Sequence, residues 1–171
     1  MAGSGNLMTL TENQLRQAFG QFATGVTVMS VADEQGRAHG VTANSFTSVS
    51  LQPPLILWCL RIEASIHPLF MDHERFAVNF LARHNRALSD RQAMKENQHL
   101  PEGAFDAGPS GVPVLKEAMT SLLCRTVRRD AGGDHTIFLA EVEQILDGPG
   151  TDPLLFFGGR YHALADRPDG S

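Results

Sequence analysis

The amino-acid sequence predicts a mainly β fold: an antiparallel β-barrel with helices at its periphery. Several segments have the composition of strands, and they do not alternate with helices as the strands of a doubly wound sheet do. The chain has 171 residues, 42% of them hydrophobic, which suits one domain with one core. No repeat or linker divides it. We therefore expect a single domain over residues 11–164, with flexible segments at 1–10 and 165–171.

The elements can be placed in order along the chain. The first is a helix that begins with the capping box of Thr11 and Gln14. Its apolar residues recur at helical spacing, which predicts one buried face: Leu15, Ala18, Phe19 and Phe22. Strands are predicted over 26–31, 39–46, 55–60, 75–81, 121–128, 135–146, 154–157 and 159–164, and short helices over 65–72 and 86–95. The stretch 99–112 is rich in Gly and Pro and predicts a long loop.

The charge balance and the cysteines exclude several classes of partner and several cellular locations. Fourteen Lys and Arg against nineteen Asp and Glu give a formal charge of −5, and no basic stripe is visible, so we expect neither nucleic acid nor a membrane as partner. Only Cys59 and Cys124 could form a disulfide, which is too few for a disulfide framework. With no secretory signal at the N-terminus, these features predict a cytoplasmic protein.

The motifs that mark common catalytic sites are absent from the sequence. It contains no G-x-G-x-x-G, no P-loop, no H-E-x-x-H and no G-x-S-x-G. The seven histidines are scattered without the spacing of metal ligands, so we expect no metal site. Neither cysteine has the basic neighbourhood of an activated nucleophile.

One stretch is unusually polar for its surroundings. Residues 40–50 read Gly-Val-Thr-Ala-Asn-Ser-Phe-Thr-Ser-Val-Ser, which contains five hydroxyl side chains and one amide in eleven positions. An exposed strand and turn would explain these residues. The edge of a ligand site, which offers hydroxyls, an amide and main-chain N–H groups to a polar planar molecule, would explain them equally well.

Several segments, in order, resemble the flavin reductase-like family. They are Phe22-Ala-Thr-Gly-Val-Thr-Val28, His39-Gly-Val-Thr-Ala-Asn-Ser-Phe-Thr-Ser-Val-Ser50, Pro53-Pro54, Arg75-Phe-Ala-Val-Asn79, the stretch 108–115, Gly133-Asp-His-Thr-Ile-Phe138 and Pro153-Leu-Leu-Phe-Phe-Gly-Gly-Arg-Tyr161. The resemblance covers about residues 12–164. The first and last segments look particularly like the reductase component of styrene monooxygenases.

The resemblance implies a fold, an activity and partners. The fold would be a flavin-binding split β-barrel of the antiparallel Greek-key type, usually a homodimer. The activity would be NAD(P)H-dependent reduction of free FMN or FAD by hydride transfer to flavin N5, and the reduced flavin would pass to a separate monooxygenase. The alternative is a tightly bound flavoprotein electron carrier, or a non-catalytic flavin-binding module of the same fold. The sequence leaves the choices between FMN and FAD, and between NADH and NADPH, open.

The resemblance also assigns candidate site residues. Thr42, Ala43, Asn44 and Ser45 would line the flavin ring and ribityl chain, with Ser48 and Ser50 as neighbours, while Trp58, Cys59 and Leu60 would offer main-chain groups. Ser65, Phe80, Leu81, Ala82 and Arg83 would approach the ribityl chain and phosphate, and Arg86 and Ser89 would lie near the phosphate. His135 would contact the nicotinamide, and Tyr161 would border either the site or the dimer interface. Hydride transfer between two cofactors needs no protein nucleophile, which is consistent with the missing motifs.

Overall fold

The computed structural model describes residues 10–95 and 98–165. The predictions for the terminal segments 1–9 and 166–171 therefore lie outside the described residues. The described residues form three α-helices: α1 (Glu12–Phe19), α2 (His67–Asp72) and α3 (Arg86–Gln92). Short 3₁₀ turns occupy Arg83–Asn85 and Pro109–Gly111. Among the described residues, no helix is long and apolar enough to cross a bilayer.

Strands hold far more of the described residues than helices do, which confirms the predicted mainly β class. In chain order they are β1 (Thr24–Gly25), β2 (Thr27–Ala32), β3 (Ala38–Ala43), β4 (Thr47–Leu51), β5 (Pro54–Arg61), β6 (Arg75–Phe80), β7 (Phe105–Ala107), β8 (Pro113–Leu115), β9 (Thr120–Gly132), β10 (His135–Asp147), β11 (Leu155–Phe157) and β12 (Arg160–His162). The stretch predicted as a long loop, 99–112, contains β7, which pairs with β8 in a two-stranded sheet. That strand has only three residues and lies in a stretch rich in Gly and Pro, so local composition could not predict it.

The central feature is a seven-stranded antiparallel sheet in the order β3-β2-β6-β9-β10-β5-β4. Its longest hairpin joins β9 and β10 through Gly133, whose φ of +70° is accessible to glycine at little cost. A separate three-stranded sheet has the order β1-β11-β12. In the described part of the chain no ladder joins β3 to β4, so the large sheet has two edges and is not a closed barrel.

The large sheet nevertheless brings its two ends together. The Ser45 hydroxyl, just beyond β3, accepts a hydrogen bond from the Cys59 N–H at 3.0 Å and donates to the Cys59 carbonyl at 3.1 Å. Cys59 belongs to β5, which lies next to the opposite edge of the sheet. The sheet therefore curls until β3 meets β5, and a cavity is formed where they meet.

The core fills the inside of this curl. It centres on Trp58, which stacks on Phe138 with ring centroids 4.7 Å apart and packs against Phe70 and Phe76. In β5 the buried side chains alternate with half-buried ones, so the predicted fully buried strand has only one face in the core. The other face is free to contribute to the cavity.

The prediction of a buried face on the first helix is wrong. The capping box of Thr11 and Gln14 forms, but no residue of α1 is buried. Phe19 and Phe22 are 71% and 78% exposed. No residue of α1 is buried against the sheet, and the C-terminal end of the helix is held by the hydrogen bond from the Gly158 N–H to the Gly20 carbonyl. An apolar stripe along a helix indicates that these side chains pack against another surface. It does not indicate whether that surface belongs to the same chain.

Candidate functional site

A cavity, which we call the main cavity, lies where β3, β5 and the end of α3 meet. Its volume is about 440 Å³, within the range of small-molecule sites. It is lined by residues 40–45 from β3 and its extension, 59–61 and 63–66 from β5 and the following turn, 92–95 and Gln98 from the end of α3, and His135 from β10. The polar stretch singled out in the sequence thus forms one wall of a cavity.

The β3 wall is held in place by its own hydroxyl groups. The Thr42 hydroxyl donates to the Ser89 carbonyl at 2.7 Å and ties β3 to α3. Ser45 is bonded to both backbone groups of Cys59, as described above. These two hydroxyls already have protein partners, so their first role is to shape the wall. Asn44 lies between them on the same wall and is exposed.

The opposite wall is a segment that lies along β3. Gly40 donates its N–H to the Gln98 carbonyl at 2.8 Å, and Leu100 donates to the Ala38 carbonyl at 3.0 Å. A Cβ on Gly40 would lie 2.7 Å from Leu100 Cδ2, so the approach requires glycine at this position. The Ser65 hydroxyl donates to the Lys95 carbonyl at 2.9 Å and accepts from the Gln98 amide. The predicted phosphate contact of Ser65 therefore competes with a bond inside the wall.

The mouth of the cavity carries charge and one imidazole. His135 lies opposite Arg61 in the β5–β10 ladder, and Glu63 and Lys95 also line the cavity. The Nδ1 of His135 lies 2.8 Å from Asp134 Oδ1, and this hydrogen bond lowers the pKa of the Asp134 carboxyl. Because a carboxylate only accepts, Nδ1 carries the proton, and in the neutral ring Nε2 is left as an acceptor.

A second cavity of about 240 Å³ adjoins the first and shares Asn44 as a wall. It is mostly apolar, and its lining includes Phe46 and Phe80, whose rings meet edge to face with centroids 5.0 Å apart. Leu81 lies beside them. The Thr24 hydroxyl on its wall is buried and has no hydrogen-bond partner in the described structure.

The structure gathers part of the predicted set of site residues into the main cavity. Those that line it are Thr42, Ala43, Asn44, Ser45, Cys59, Leu60, Ser65 and His135. Phe80 and Leu81 line the adjoining apolar cavity instead.

The remaining predicted residues lie outside both linings. Ser48 and Ser50 are on β4, Trp58 is fully buried in the core, Ala82 is buried behind the cavities, and Arg83 is exposed before α3. Ser89, Arg86 and Tyr161 form a separate cluster: the Tyr161 hydroxyl is 2.8 Å from Ser89 Oγ, and the Arg86 guanidinium lies 5.3 Å from the Tyr161 ring centre. Burial raises the pKa of Tyr161.

Sequence reasoning missed the residues that the turns bring to the cavity. Arg61 and Lys95 are the cations of its lining, whereas the candidates for phosphate, Arg83 and Arg86, lie elsewhere. Gln92 and Gln98 were also missed. No motif marks these residues, because their positions depend on how 93–100 docks on β3. Within the described segments, no group of three or more His, Cys, Asp or Glu side chains is arranged to hold a metal.

The two thiols give an independent test of the cavity wall. Burial raises the pKa of Cys59, and burial together with the nearby Glu143 raises that of Cys124 to about 12. Both thiols are therefore protonated at neutral pH, and we expect iodoacetamide to alkylate them more slowly than free cysteine. Half-buried Cys59 should react before buried Cys124. Peptide mass spectrometry, with Cys59→Ser as control, would contradict this placement if Cys124 were alkylated first.

The fold and the site together define a class of protein. The large antiparallel sheet places a polar cavity beside a mostly apolar one, and this pair of cavities suits a ligand that has both a polar and an apolar part. The family model for the flavin reductase like domain matches residues 19–165. The chain belongs to this family, as the sequence predicted.

Individual relatives show the same likeness over nearly the whole chain. An NADH-dependent FAD reductase of Streptomyces globisporus is 41% identical, with 91% of this chain and 87% of the relative covered. The NADH-dependent flavin reductase StyB of Pseudomonas fluorescens is 36% identical, with 86% of each covered. Among solved structures, the NADH:FAD oxidoreductase SgcE6 of Streptomyces globisporus, in complex with NAD and FAD fragments, superposes with a TM-score of 0.85 at 39% identity, covering 92% of this chain and 94% of that one.

Proposed function

We propose that the protein is an NADH:flavin oxidoreductase that reduces free FMN or FAD and supplies the reduced flavin to a partner monooxygenase. The observation that carries the proposal is the main cavity, whose β3 wall, β5 backbone and His135 come together from distant parts of the chain. Membership of the flavin reductase-like family supports the reaction. Relatives whose names give NADH as the reductant favour NADH over NADPH.

The two adjoining cavities fit a flavin in both size and polarity. A flavin has a flat ring with an apolar dimethylbenzene edge and a polar ribityl chain. The apolar lining around Phe46 and Phe80 and the polar lining around Thr42 and Ser65 differ in the same way. When bound beside NADH, flavin supplies the hydride acceptor, so the protein has to bind and orient two rings.

The charged residues at the mouth suit the polar ends of the two substrates. Arg61 and Lys95 offer positive charge for phosphate, and they replace Arg83 and Arg86 as our candidates. His135, held by Asp134, has its other ring nitrogen available as an acceptor for the carboxamide of the nicotinamide. These three side chains project from turns and strand ends, where exposure allows substrates to enter and leave.

We also propose the split β-barrel and the homodimer for this chain. The hydrogen bonds between Ser45 and Cys59, which join the two ends of the sheet, support a barrel split at that point. The exposed Phe19 and Phe22 support a second copy that covers α1. We expect light scattering to give twice the chain mass, and Phe22→Asp to shift the protein toward the monomer. A monomeric wild-type protein would contradict the dimer.

The cytoplasmic location of the protein is proposed on separate grounds. The two unpaired cysteines are consistent with the reducing cytoplasm.

A structural relative supports a monooxygenase as recipient of the reduced flavin. It is the reductase component of the styrene monooxygenase of Pseudomonas putida S12, which superposes with a TM-score of 0.79 at 36% identity.

The proposed reaction is tested by following NADH at 340 nm with FMN and with FAD in parallel. We expect NADH to be consumed only when flavin is added, by a purified protein that is colourless. A yellow protein that consumes no NADH would support a flavin carrier and overturn the reductase. Consumption of NADPH at the rate of NADH would contradict the proposed reductant.

A further inference from the structure

We propose that Gln92 is a specificity-determining residue for flavins that carry a ribityl chain: its side-chain oxygen accepts a hydrogen bond from a hydroxyl of that chain. The inference rests on the proposed flavin binding and adds to it a residue and a part of the substrate. It starts from a buried polar atom beside the main cavity that has no partner.

Gln92 is almost completely buried, and its side-chain oxygen has no hydrogen-bond donor. Gln92 is the last residue of α3, lines the main cavity and is 2% exposed. Its Nε2 donates to the His99 carbonyl at 3.3 Å. Its Oε1 has no donor within the described structure. A buried acceptor without a donor is costly, and natural proteins rarely leave one without a compensating partner.

The neighbouring buried residue on the same face of α3, Ser89, has hydrogen-bond partners that Gln92 lacks. Ser89 lies one turn earlier, and these two are the buried residues of α3. The Ser89 hydroxyl meets the Tyr161 hydroxyl at 2.8 Å, and its carbonyl accepts from Thr42. The protein thus provides partners for Ser89 but only one for Gln92, the residue that lines the main cavity.

The surroundings of Gln92 favour a hydroxyl of the ribityl chain over the flavin ring as the missing hydrogen-bond donor. An amide oxygen can only accept, so the ligand must offer an N–H or an O–H. The main cavity, which Gln92 lines, includes the polar groups of Ser65, Lys95 and Gln98, whereas the mostly apolar cavity lies beyond Asn44. A chain of hydroxyls fits the polar wall, and the aromatic ring fits the apolar side.

The amide has to move to make this bond. Oε1 is covered in the ligand-free arrangement, since it has almost no accessible surface. The bond from Nε2 to His99 is at the long end of the normal range, so rotation of the amide toward the cavity gives up little. Binding of a ribityl hydroxyl then satisfies the oxygen that the free protein leaves without a donor.

The test compares riboflavin with lumiflavin, which has the same ring but no ribityl chain. We expect Gln92→Met, which keeps the length of the side chain, to raise the Kd of riboflavin by about fivefold to tenfold and that of lumiflavin by less than about twofold. Both are measured by quenching of flavin fluorescence. Arg91→Met, at the exposed preceding position of the helix, is the control and should change neither value. Gln92→Leu serves as a second variant.

Thermal melting of the free variants separates binding from folding. Because methionine removes a buried unpaired acceptor, we expect the Tm of Gln92→Met to equal or exceed that of the wild type. An unchanged riboflavin Kd, or an equal loss for riboflavin and lumiflavin, would overturn the proposal while leaving the reductase function intact. A wild-type protein that binds neither flavin would overturn the proposed function, and this proposal with it.

Discussion

Asn79→Ala is expected to destabilise the protein by about 3–4 kcal/mol, because Asn79 holds a buried network with four hydrogen bonds. Asn79 is the second-last residue of β6 and is fully buried. Its Nδ2 donates to the Val28 carbonyl at 2.9 Å and to Ser30 Oγ at 2.8 Å. Its Oδ1 accepts from the Leu115 N–H at 2.9 Å and from Ser121 Oγ at 2.8 Å.

The cost of this substitution comes from the groups left behind. The amide joins β2, β9 and β8 to β6, and its removal leaves a buried N–H on Leu115 and a carbonyl on Val28 without this partner. Urea unfolding of the wild type and the variant measures the difference. Asn13→Ala, an exposed asparagine of α1, is the control and should change stability by less than about 0.5 kcal/mol. A similarly small change for Asn79→Ala would contradict the importance of the network.

His135→Ala is expected to lower kcat/KM for NADH by on the order of tenfold to a hundredfold, because the imidazole would no longer position the nicotinamide. The affinity for flavin should change by less than about twofold, since the walls formed by β3 and β5 do not depend on this side chain. Steady-state kinetics with NADH varied, and flavin fluorescence titration, measure the two quantities.

The matched control is His84→Ala, which removes an exposed imidazole outside the main cavity. We expect it to leave both the NADH kinetics and the flavin affinity unchanged. Wild-type KM and kcat for NADH in His135→Ala would remove His135 from the site. Equal losses toward NADH and flavin would instead assign it to the flavin wall.

The sequence patterns predicted those parts of the fold that depend on interactions between residues close in the chain. The hairpin of β9 and β10 follows from two alternating segments joined by Gly132 and Gly133, and the structure confirms it. The capping box at Thr11 also forms as predicted. Burial of the α1 face could not be predicted, because it depends on whether another surface is present.

The candidate site was predictable where a continuous segment forms it. The hydroxyl-rich stretch does line the cavity, from Thr42 to Ser45. The side chain of Trp58 lies in the core because alternation along β5 sends neighbouring side chains to opposite faces. The cations Arg61 and Lys95 and the buried amide of Gln92 could not be predicted, because turns and a docked segment bring them together from separate parts of the chain.

The proposed function also explains why an acidic chain can serve phosphate-bearing substrates. The charge of −5 describes the surface as a whole, whereas the cavity lining carries Arg61 and Lys95 beside Glu63. Binding then depends mainly on hydrogen bonds and ring packing, with a small electrostatic contribution at the mouth. Such a site suits a flavin that leaves after each turnover.

The central claim, that this chain reduces flavin as a substrate that leaves, is tested most directly by anaerobic turnover. The protein is mixed with a twentyfold excess of FMN and a larger excess of NADH, and the absorbance of oxidised flavin at 450 nm is followed. We predict that all of the FMN is bleached, which requires many turnovers per chain. Rapid bleaching of one FMN per chain with no further protein-dependent reduction, or no reduction above the rate without protein, would contradict the claim.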